Sequence, residues 1–246
     1  MRNKIAVIFL VFVILYTAPG FAAEEIKNAK QLFAENPTPE VSLTIDPMID
    51  PALRLVNKKN GLAWDDVPEL VFPDINTKPG ITAQQCAPMA KEALEALFAA
   101  AKAAGWDLAA VSGYRSYTAQ KLIYNRKVEE RGEASASLSS APPGKSEHQL
   151  GLAMDVSCAS IDYRLNKIFA DTNEGKWLYA HCAEYGFIIR YKTEWTKITG
   201  YKGEPWHIRY VGVEHAKLIE KLDVPFEVYL EYLELCWQSM NQDIPG

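Results

Sequence analysis

The shortness of its apolar runs constrains this chain more than any other feature. Leu108–Ser112 (LAAVS), Gly151–Ser157 (GLAMDVS), Phe187–Tyr191 (FIIRY) and Trp206–Val211 (WHIRYV) read as short buried strands. Helical patterns fall between and after them without a regular strand–helix alternation. Ala87–Ala104 is dense in strong helix formers and places Ala90, Leu94, Leu97 and Phe98 on one face before Gly105 stops it. Tyr117–Arg131 carries Leu122, Ile123 and Val128 at helical spacing. Gly175–Tyr185, ended by Gly186, and then Glu214–Leu222 and Phe226–Gln238 read as further helices. Gly132–Lys145 (GEASASLSSAPPGK) is small, polar and proline-bearing, and reads as a loop. Together these predict an α+β fold, with helices against a small antiparallel sheet.

The first residues stand apart. Arg2 and Lys4 precede an unbroken apolar run, Ile5–Tyr16, and small residues Gly20 and Ala22 follow. That order predicts a secretory signal peptide over 1–22. The run is shorter than the ~20 apolar residues of a spanning helix, and no later segment is apolar enough to span a membrane. Residues 23–51 are polar, carry Pro37, Pro39, Pro47 and Pro51, and are expected to be a linker or arm outside the core. Residues 52–240 would form the folded domain, with 53–79 wrapping it as extended chain and short turns.

The whole chain has 26 Lys and Arg against 31 Asp and Glu; loss of Arg2 and Lys4 leaves 24 against 31, a formal charge of −7. An acidic domain does not track phosphate backbones, so nucleic acid is not an expected partner. Export gives Cys86, Cys158, Cys182 and Cys236 two readings: disulfides, in any of three pairings, or buried thiols. None forms a CxxC pair.

Two segments carry the chemistry: Ser146-Glu147-His148-Gln149-Leu150-Gly151-Leu152-Ala153-Met154-Asp155, and Glu204-Pro205-Trp206-His207. A catalytic zinc takes three protein ligands and keeps a fourth position for water. His148, Asp155 and His207 could supply two imidazole nitrogens and one carboxylate oxygen. Gly151 permits the bend that brings the first two together. Glu204, three residues before His207, could then lie beside the water and act as general base and general acid.

From about Leu53 to Glu214 the chain resembles the VanY-type D-alanyl-D-alanine carboxypeptidases, zinc metallopeptidases with the hedgehog/DD-peptidase fold. The first segment matches that family's SxHxxGxAxD pattern at every fixed position, and Glu-Pro-Trp-His matches its second metal segment. Ser112-Gly113-Tyr114-Arg115-Ser116 matches its substrate-binding segment, with Leu55-Val56-Asn57-Lys58 and Val67-Pro68-Glu69-Leu70 as lead-in. The resemblance implies one zinc ion on His148, Asp155 and His207, with Glu204 as catalytic base. It implies Arg115 as a catalytic and substrate-binding group, and Gln120 and Ser146 as substrate-binding residues.

The implied activity is removal of the terminal D-alanine from peptidoglycan stem peptides ending in D-Ala-D-Ala, in the periplasm or on the cell-envelope exterior of a bacterium. Two alternatives stay open. One is an L,D-carboxypeptidase acting on tetrapeptide stems; the other is a non-catalytic wall-binding module of the same fold.

Overall fold

The computed structural model describes residues 26–241, and the expected leader, 1–22, lies outside the described residues. The four strands are β1 (Ala109–Ser112), β2 (Ala153–Ser157), β3 (Phe187–Tyr191) and β4 (Glu204–Tyr210). They form one antiparallel sheet in the order β1-β2-β4-β3. Thr77 covers the outer edge of β1 as a single parallel bridge to Ala110, so part of the expected wrapping segment is hydrogen-bonded to the sheet.

Among the described residues, eight α-helices surround the sheet: α1 (Ala29–Glu35), α2 (Pro88–Ala103), α3 (Tyr117–Arg131), α4 (Glu133–Ser139), α5 (Asn173–His181), α6 (Thr196–Thr199), α7 (Val213–Leu222) and α8 (Phe226–Asn241). No described helix is long and apolar enough to cross a membrane.

Side chains alternate across a strand, so each strand divides its residues between two layers. Met154, Val156, Phe187, Ile189 and Ile208 point to one face, where they join Leu94, Leu97 and Phe98 of α2 and Leu178 of α5 in the main core. Their neighbours Asp155, Arg190, His207 and Arg209 are also buried but belong to neither apolar cluster. The opposite face of the sheet therefore carries the buried polar groups, with the second apolar cluster, built on α7 and α8, beside them.

Three expectations need correcting. The segment before Pro51 is not outside the core. Ala29, Leu32 and Val41 are buried in the second cluster, and α1 lies against α8. A capping box, Asn28 with Gln31, starts that helix. The stretch 132–145 is not all loop, because Gly132 takes a φ of 75° and α4 follows it. In α3 the apolar spacing does not mark the docked face: Leu122 is 69% exposed, whereas Gln120 is buried.

All four cysteines are buried free thiols. Burial pushes Cys86 up to about 11 and Cys182 up to about 12, so neither offers a thiolate at neutral pH.

Candidate active site

His148 lies on a short 3-10 turn, Glu147–Leu150, which Gly151 ends in the left-handed conformation, φ 70°. A Cβ on Gly151 would stand 2.7 Å from the backbone nitrogen of Ala87, the group that donates to the Gly151 carbonyl. The glycine therefore serves both the turn and the close approach of α2. Strand β2 follows and delivers Asp155, which is paired in register with His207 of β4. The two motifs, some fifty residues apart in sequence, meet because their strands are neighbours.

The geometry fixes which nitrogen each histidine presents. His148 Nδ1 lies 2.8 Å from the Gly113 carbonyl oxygen, which can only accept. Nδ1 therefore carries the proton, and Nε2 faces Asp155 Oδ2 at 3.4 Å. His207 is turned the other way, with Nδ1 3.1 Å from Asp155 Oδ1 and Nε2 3.3 Å from Glu147 Oε2. The imidazoles stand edge to face, centroids 4.9 Å apart.

One ligand atom from each of His148, Asp155 and His207 lies within 4.8 Å of the others, and all three residues are buried. Tetrahedral zinc with bonds of about 2.0–2.2 Å needs neighbouring donors about 3.3 Å apart. Each histidine stands near that distance from one oxygen of Asp155, His148 from Oδ2 and His207 from Oδ1, and the donor set of two imidazoles and a carboxylate suits the ion.

Glu204 lines the same cavity, of about 250 Å³, with Arg115, Gln120, Lys127, Ser146, Trp206 and the three candidate ligands. Beyond a register irregularity in β3, Tyr191 pairs with Glu204, and both side chains line the cavity. Burial raises the Glu204 carboxyl to about 7, and the nearby Asp155 adds to that. A carboxyl poised there can both take and return a proton near neutral pH.

Asp155 behaves oppositely. Burial opposes its charge, but the two histidines hold it well below the usual carboxylate range. Burial also opposes charge on His207, yet Asp155 and Glu147 outweigh it and push the imidazole up to about 9. Burial and Arg115 lower His148.

Arg115 extends from the segment between β1 and α3, where its backbone N–H donates to the His148 carbonyl. Its Nη1 donates to Gln120 Oε1 at 2.7 Å and its Nη2 to Ser112 Oγ at 2.8 Å, with Asp155 Oδ2 at 3.5 Å. Gln120 is 1% exposed, and its Nε2 donates to the Ala141 carbonyl at 2.6 Å. Both ends of its amide are engaged, so the geometry casts it as the brace of Arg115. Ser146 is buried at the start of the His148 turn.

The family model described as VanY, D-alanyl-D-alanine carboxypeptidase, matches residues 83–213, more than half of the chain. The chain belongs to the VanY family.

Among relatives of this VanY-family chain is the putative carboxypeptidase YodJ of Bacillus subtilis (strain 168). It is 46% identical over 182 residues, which is 73% of this chain and 67% of that protein. The structure of the LdcB LD-carboxypeptidase aligns at 45% identity and a TM-score of 0.69, over 72% of this chain and 85% of LdcB. The vancomycin resistance D,D-pentapeptidase VanY, solved in complex with Zn(II), aligns at 34% identity and a TM-score of 0.63. That match covers 74% of this chain and 99% of the other. By family, the chain is a metallo-carboxypeptidase of the D,D- or L,D- type.

Sequence reasoning missed Glu147, Arg190 and Arg209, which are buried beside His207. The signal was present in FIIRY and WHIRYV. Each places an arginine inside a mostly apolar strand, and Arg209 is two residues from His207, on the same face. His181, stacked on Trp177, and His215, bonded to the Tyr229 hydroxyl, do not line this cavity.

Proposed function

We propose that this chain is an exported, zinc-dependent carboxypeptidase that removes the C-terminal D-alanine from peptidoglycan stem peptides. The observation that carries the reading is the convergence of His148, Asp155 and His207, with Glu204 in the same cavity. His148, Asp155 and His207 would hold the zinc ion, which would supply Lewis acidity for the scissile carbonyl and the attacking water. Glu204 accepts the proton from that water and returns it to the departing amine.

Arg115 is held by Gln120 and Ser112 with its guanidinium in the cavity, ready for the oxygen that gains charge or for the terminal carboxylate. Ser146 offers a hydroxyl to the bound peptide. A wall-binding module without catalysis has no use for a buried carboxyl lining the same cavity as a complete ligand set, which favours the enzyme.

The motifs first suggest a D,D-enzyme acting on pentapeptide stems. The greater likeness to the LdcB LD-carboxypeptidase favours the L,D-reading, with tetrapeptide stems as substrate. Purified chain incubated with each stem peptide, with and without a chelator, tests both. Chelator-sensitive loss of D-alanine is expected, from the tetrapeptide on the L,D-reading. Loss from the pentapeptide alone would return the assignment to the D,D-class.

A further inference from the structure

Beneath the cavity lies a second arrangement of charge that the proposed chemistry does not use. Glu147, Arg190 and Arg209 are each almost wholly buried. Glu147 Oε1 accepts from Arg190 Nε at 2.7 Å and from Arg209 Nη1 at 3.1 Å. Arg190 then forks onto Glu227, with Nη2 to Oε1 at 2.7 Å and Nη1 to Oε2 at 3.0 Å. Arg209 donates through Nη2 to the carbonyls of Ala52 and Arg54, at 2.9 and 3.0 Å, and through Nε to the Tyr210 carbonyl at 2.9 Å. Every nitrogen of both guanidinium groups is thereby engaged.

Glu147 has one oxygen left. Oε1 is committed to the two arginines, and Oε2 lies 3.3 Å from His207 Nε2. An ionised carboxylate only accepts, so this contact requires the proton on Nε2. In the neutral imidazole that a metal ligand must be, the lone pair is then on Nδ1, the atom that faces Asp155. Buried ion pairs are rarely retained for stability alone, because apolar replacements of similar size are often as stable. Two buried arginines locked on one carboxylate that touches a ligand call for another explanation.

We propose that Glu147 is a positioning residue. It fixes His207 in the Nε2–H tautomer and aims Nδ1 at the metal position, while Arg190 and Arg209 hold its carboxylate in place. The inference rests on the metal-site reading of His148, Asp155 and His207. Carboxylates that orient ligating histidines typically matter about 10–100-fold in metal affinity.

The substitution that tests this is E147Q, which keeps the shape. The two arginines can only donate, so they select the oxygen of the introduced amide and turn its NH2 towards His207 Nε2. That nitrogen must then accept, the proton moves to Nδ1, and the ligand atom loses its lone pair. Zinc affinity of the full chain is measured by competition with a chromophoric chelator, and the fold is followed by circular dichroism. We expect E147Q to keep its secondary structure and to bind zinc about 10–100-fold more weakly. H207A serves as the control for loss of the ligand itself.

Nitrogen-15 NMR of the zinc-loaded wild type gives a readout that needs no variant to fold. It should show His207 protonated on Nε2 and coordinated through Nδ1. Folded E147Q with wild-type affinity, or His207 coordinated through Nε2, overturns the positioning role while leaving the metal site standing. A wild type that binds no zinc overturns both.

Discussion

At the residue scale, the proposed proton chemistry falls to one carboxyl. Glu204 sits in a cavity that burial has made hostile to charge, and its carboxyl is raised to about 7. Glu204→Gln should keep the metal, because the three proposed ligand side chains are untouched, and lower kcat by at least about 10²-fold. Retained turnover in a metal-loaded E204Q would remove Glu204 from the mechanism. The same shift has a stability consequence. A carboxyl whose folded value lies above its unfolded one holds its proton longer in the folded state. Stability is therefore lost as pH rises from about 4.5 through about 7. Metal-free E204Q should accordingly melt higher than metal-free wild type at pH 8, with the gap closing as pH falls below about 4.5. Equal melting at pH 8 would show that burial does not strain this group.

At the scale of elements, the strands and the longer helices were legible, because hydrophobic period and glycine stops are local signals. The helix over Tyr117–Arg131 begins and ends where the pattern put it, yet its docked face was misread. It roofs a polar cavity, so Gln120 and Lys127 face inward and Leu122 faces out. Apolar spacing finds a core-facing side only where the neighbour is apolar. The docked segment α1 escaped notice for the opposite reason: its few apolar residues gain a partner only once α8 is in place, and that contact spans most of the chain. The candidate site was legible as motifs, and its support was not. Glu147 looked like a spacer until Arg190 and Arg209 arrived from β3 and β4. Gly151 is the element-scale test. Gly151→Ala puts a side chain in the left-handed region, costing about 1–2 kcal/mol, and drives its Cβ into the Ala87 backbone. Urea denaturation should register a loss of at least that size, with weakened zinc binding. An unchanged midpoint would show that the turn and α2 yield easily.

At the scale of the whole molecule, two apolar clusters divide the labour. One fills the space between the sheet and α2, and the other seats α1, α7 and α8 beside the buried ion network. Leu32, 2% exposed, is the main anchor of the N-terminal segment. Leu32→Ala should cost about 2–5 kcal/mol in chemical denaturation while leaving zinc affinity unchanged. A loss below about 0.5 kcal/mol would mean that the segment is a passive arm after all. Glu227 of α8 reaches Arg190, so the second cluster also supports the scaffold under His207. The central claim is tested most directly by mass spectrometry of pentapeptide and tetrapeptide stems after incubation with the purified chain, with and without chelator. The account predicts chelator-sensitive release of a single D-alanine, and on the L,D-reading release from the tetrapeptide. A zinc-loaded protein that releases D-alanine from neither stem would contradict it.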